Sequence, residues 1–61
     1  MISFDELKDL FHKASISGDP LDLIKFVIVR KEKTTWIGQE ENDFRILSQA
    51  FLNDRLPGWW K

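Results

Sequence analysis

The chain's one imidazole, His12, follows Asp9 by three residues, and a carboxylate one helical turn away can orient an imidazole for proton transfer. Catalysis also needs a second acid, base or nucleophile. The chain has no cysteine and no glycine-rich loop, so nothing completes a pair with His12, and the expectation is a protein that is not an enzyme. Glu40, Glu41, Asn42 and Asp43 gather oxygen donors of the kind calcium prefers. A calcium loop, however, needs alternating ligands, a central glycine and a distal glutamate. These carboxylates fit better in the first turn of a helix, where the dipole favours negative charge. Without cysteine a thiolate metal site is excluded, and neither a metal nor a cofactor is expected.

Two features remain that could bind. Lys25, Arg30, Lys31 and Lys33 precede Trp36, and a basic hairpin over residues 25–36 that carries an aromatic ring could hold phosphates while the ring stacks on a base. Against this, Glu32 interrupts the patch and the formal net charge is −1, so no long-range field draws in nucleic acid. The charge is uneven along the chain. Asp5, Glu6, Asp9, Asp19 and Asp22 make the first part acidic, and the four cations make the middle basic.

The other feature is the end of the sequence, Leu56-Pro57-Gly58-Trp59-Trp60-Lys61. Pro57 stops a preceding helix from running on, and neighbouring side chains of an extended segment point in opposite directions. One tryptophan is therefore expected to cap the core and the other to face outward or into a second chain. Burying one indole removes roughly 200 Å² from water, worth at most about 5 kcal/mol, which is comparable with the whole stability of a small domain.

The elements that must position these residues follow from capping and periodicity. Ser3-Phe4-Asp5-Glu6 has the form of a capping box, and Phe4, Leu7, Leu10, Phe11 and Ala14 recur at helical spacing until Ser17-Gly18-Asp19-Pro20 ends the run. Leu21–Arg30 admits two readings, the strand among them covering Leu23–Lys31. Asp19-Pro20 could start a second helix, yet Ile24, Phe26, Val27, Ile28 and Val29 have the composition of a strand, and the strand is the expectation. A nearly continuous apolar run predicts cover on both faces, with helices on one side and a second copy of the chain on the other. Lys31–Thr34 then reads as a hairpin loop and Thr34–Ile37 as a second strand stopping at Gly38. A further helix follows, with Phe44, Leu47, Ala50 and Phe51 as its stripe and Ile46 beside it.

The expected fold is thus α+β: a single small domain over residues 1–61, a two-layer αββα unit in which a β-hairpin packs against two helices. A three-helix all-α fold is the alternative if residues 20–30 are helical. No run is long and apolar enough to span a membrane or to act as a signal peptide, so a cytoplasmic protein is expected. With only 61 residues the core is thin, and self-association is the device left to enlarge it. The functional expectation is a small non-enzymatic protein–protein interaction or regulatory protein that forms a homo-oligomer. Trp36, Trp59 and Trp60 would be its anchors, with Arg30, Lys31 and Lys33 setting partner choice by charge. A nucleic-acid-binding module using the basic hairpin is the second reading.

Overall fold

The computed structural model describes residues 2–58 and Trp60. Among these the chain folds as three helices, α1 (Phe4–Ser17), α2 (Pro20–Glu32) and α3 (Gly38–Arg55), with no strand. The α+β expectation, its αββα order and its hairpin are therefore corrected: the chain takes the three-helix all-α alternative.

α1 forms as its sequence requires. The Ser3 hydroxyl accepts a hydrogen bond from the Glu6 backbone N–H at 3.1 Å, satisfying one of the donors that a helix N-terminus leaves free. The helix ends at Gly18, whose φ of +69° is the left-handed conformation that glycine adopts without a Cβ clash.

The strand expected over Leu23–Lys31 is the body of α2. Asp19 caps this helix, its carboxylate accepting from the Leu21 N–H at 2.9 Å, and Pro20 occupies the first turn, where its missing N–H costs nothing. β-Branched residues disfavour a helix by only about 0.5 kcal/mol each, whereas burying a phenylalanine side chain is worth roughly 1.5–3 kcal/mol. Burial decides the outcome. Leu23, Phe26, Val27 and Arg30 fall on one helical face, with Phe26 fully buried and Val27 nearly so. Residues 33–37, expected as a loop and second strand, form the connection to α3. The backbone is extended at Lys33 and Ile37, without a pairing partner.

α3 begins at Gly38, which has a φ of +78°. Glu41 reaches back four residues, its Oε1 accepting from the Ile37 N–H at 3.4 Å. The buried residues of this helix are Phe44, Ser48 and Leu52, so the core stripe is rotated from the expected one, and Leu47 and Ala50 are exposed.

The core joins Leu7 and Ala14 of α1, Phe26 and Val27 of α2, Phe44 and Leu52 of α3, and Trp60. α1 and α2 approach each other most closely, while α3 is held largely through aromatic side chains. Phe26→Ala is expected to cost about 3–5 kcal/mol, enough to abolish the helical circular dichroism signal at 25 °C. Ile28→Ala, two residues further along the same helix but on its exposed side, is expected to change stability by less than about 0.5 kcal/mol in a urea titration.

Candidate functional site

Arg30 lies in the last turn of α2, pointing inward toward α3. Its Nε donates to Ser48 Oγ at 2.8 Å and its Nη2 to the Arg45 carbonyl at 3.0 Å. Ser48 in turn donates to the same carbonyl at 3.1 Å. This local network lets a serine sit fully buried at the helix interface without an unsatisfied hydroxyl. The Arg30 guanidinium also lies between two indoles, 5.6 Å from the Trp36 ring centre and 5.3 Å from that of Trp60. Both are within range of a cation–π attraction. Trp60 is held in turn by its Nε1, which donates to Asn53 Oδ1 at 3.0 Å.

The electrostatics of the cluster follow from this placement. Burial lowers the Arg30 pKa, and the neighbouring Arg45 lowers it further. A guanidinium stays charged under these conditions, so the aromatic faces and hydrogen-bond acceptors must offset its lost hydration. Arg45 donates through Nε and Nη2 to Asn42 Oδ1, at 3.2 and 3.0 Å. Lys33 Nζ also lies 5.1 Å from the Trp36 ring centre and pairs with Glu41 at 2.8 Å. Hydrogen bonding to Lys33 is the main reason the Glu41 pKa is lowered, and the Ile37 N–H adds to the effect. Also at the start of α3, Lys8 bridges Asp5 and Glu40 at 3.4 Å each, and the bond to Glu40 raises the Lys8 pKa most.

Four of the six residues expected to contact a partner therefore meet around the connection and tail: Arg30, Lys33, Trp36 and Trp60. They meet largely inward, because Trp60 is only 6% exposed and closes the core, and Trp36 is half-buried against Phe44. Lys31 is exposed on the outer side of α2, away from this cluster, and Trp59 lies outside the described residues. With no hairpin, the cations proposed to grip nucleic acid are divided. Lys25 and Lys31 face solvent, whereas Arg30 and Lys33 are drawn into pairs and aromatic contacts.

No catalytic arrangement is assembled among the described residues. His12 is exposed, no hydrogen bond joins its imidazole to Asp9, and no group of three His, Cys, Asp or Glu side chains is placed to hold a metal. One cleft of about 380 Å³ is lined by Ile2 and residues 32–35, and a second of about 240 Å³ lies between Ala14, Leu23 and Leu56. The first is lined by Glu32 and Lys33 and the second also by Asp19 and Arg55, and His12 lines neither. No known protein family, curated protein or solved structure matches the chain, so the residues' own chemistry must carry the functional reading.

The sequence did not single out Ser48, Asn53 or Glu41 as partners of this cluster. The available signal was phase: Ser48 stands four residues after Phe44 and four before Leu52, within a buried stripe.

Glu41 gives the cluster a pH dependence with a definite sign. Its pKa is lower in the folded state than the ordinary 4.5, so it contributes stability above about pH 4.5 that is lost as pH falls through the folded value. Glu41→Gln is expected to flatten that acid limb in urea titrations at a series of pH values. Arg30→Ala is expected to destabilise the fold by about 1–3 kcal/mol and to increase quenching of tryptophan fluorescence by acrylamide, since Trp60 loses its stacking partner.

Proposed function

We propose that the chain is a small non-enzymatic interaction or regulatory protein of the cytoplasm that acts by binding protein and associates with copies of itself. The observation that carries this reading is the outer face of α2. Leu21, Ile24 and Ile28 line it, Leu21 at 73% and Ile28 at 56% exposure, directly opposite the face that packs into the core. A helix that is apolar on both sides is ordinarily covered on both sides. Leaving these side chains in water is costly for a chain whose core is limited by its length.

The contrast with α1 supports the reading. The outer side of that helix carries Asp5, Glu6, Asp9 and Lys13, with Ile16 the one large apolar residue exposed there. Such a surface needs no cover. No helix among the described residues is long and apolar enough to cross a membrane.

Sedimentation velocity across a concentration series tests the proposal. The wild type is expected to sediment faster as concentration rises, whereas Ile28→Glu should keep wild-type helical circular dichroism and remain monomeric. A wild type that stays monomeric up to millimolar concentration would overturn the self-association. So would an Ile28→Glu variant that associates as the wild type does.

A further inference from the structure

A second apolar patch stands on the outside of α3, where Ile46 and Leu47 are more than half exposed and Ala50 is exposed beside them. Its surroundings differ in charge from those of the α2 stripe. Lys25 and Lys31 flank the α2 stripe with Glu32 as the one exposed acid, while Asp43 and Asp54 flank the α3 patch. The two surfaces therefore complement each other in both hydrophobicity and charge. They belong to different sides of one chain, so each can meet the other only between two copies.

We infer that the outer face of α2 of one copy docks on the outer face of α3 of the next, with the helices antiparallel. This deepens the self-association proposed above and rests on it. The occupant is a second copy because the same chain supplies both complementary halves. The spacing gives a register. With Ile28 opposite Ile46, helical rise brings Ile24 level with Ala50, Lys31 level with Asp43 and Glu32 level with the neutral Asn42. Antiparallel packing also sets the helix dipoles favourably. Pairing α2 with α2 of a partner about Ile24, the symmetric alternative, brings the two copies of Lys25 together at the axis.

The contact is heterologous, joining two different surfaces, and so leaves one free face at each end of any pair. Assembly should pass beyond a dimer as concentration increases. One helix on another is a small interface, and the dissociation constant expected is about 10–1,000 µM.

Complementary variants test this directly. One chain carries Ile24→Glu and Ile28→Glu, the other Ile46→Glu and Leu47→Glu, and both are checked for helical circular dichroism. Each alone is expected to be monomeric, because each lacks one half of the contact. An equimolar mixture should form a one-to-one pair and nothing larger, since each retains the half the other needs. If the wild type associates but the α3 variant alone does so equally well, or the mixture stays monomeric, the α2-to-α3 contact is wrong and the broader self-association stands. A monomeric wild type removes both. Should either double variant unfold, charge exchange replaces it: Lys31→Asp or Asp43→Lys alone should weaken association about fivefold, and the two together should restore it. Failure of the exchange to restore association overturns the proposed register.

Discussion

The fold depends on a cluster of aromatic rings to which every helix contributes. Phe11 of α1 meets both other helices, with ring centres 5.4 Å from Phe26 of α2 and 5.3 and 5.1 Å from Phe44 and Phe51 of α3. The contacts to α3 are edge-to-face, the geometry favoured by the negative face and positive edge of an aromatic ring. Phe4 meets Phe44 in the same way, and Trp36 stacks on Phe44. Because rings rather than close backbone approach hold α3, a chain with no disulfide can join its third helix to the first two using few residues.

The aromatic cluster explains where the chain places its cation. Arg30 occupies a core-facing position of α2, where a leucine would be the simpler choice. The indoles of Trp36 and Trp60 flank it, and the Ser48 hydroxyl and Arg45 carbonyl accept from it. One side chain thereby ties the connection, the tail and α3 to α2. Trp60 adds this contact to its own burial. Trp60 is thus a clasp that closes the core.

Capping chemistry was the most legible part of the sequence. Ser3 with Glu6, Gly18, and the Asp19-Pro20 pair all mark helix boundaries, and the apolar stripe of α1 packs as its spacing requires. The fold departs from the α+β expectation at α2, where the Asp19 cap and helical burial outweigh β-branched composition. Phe26 and Val27 gain more from helical burial against α1 than their neighbours lose in propensity. In α3 the buried stripe differs in phase from the expected Phe44, Leu47, Ala50 and Phe51 because it includes Ser48. Its burial depends on Arg30, eighteen residues away, a pairing that local periodicity does not reveal. The site was legible to the extent that Arg30, Lys33, Trp36 and Trp60 converge, although their mutual contacts turn most of them inward. The apolar run of α2 carries the expectation of cover on both faces; in the helix one face is buried in the core and the other, with Leu21 and Ile28, is exposed.

The central claim is that this one core leaves the outer faces of α2 and α3 open while α1 is finished with charge. Amide chemical shifts of the isotope-labelled wild type, followed from about 20 µM to about 2 mM, test it most directly at the concentrations expected of so small an interface. Progressive shifts should be confined to residues 21–32 and 43–54, with α1 and the Trp60 indole unchanged. Shifts concentrated on α1 or at Trp60, or none at all over that range, would contradict it.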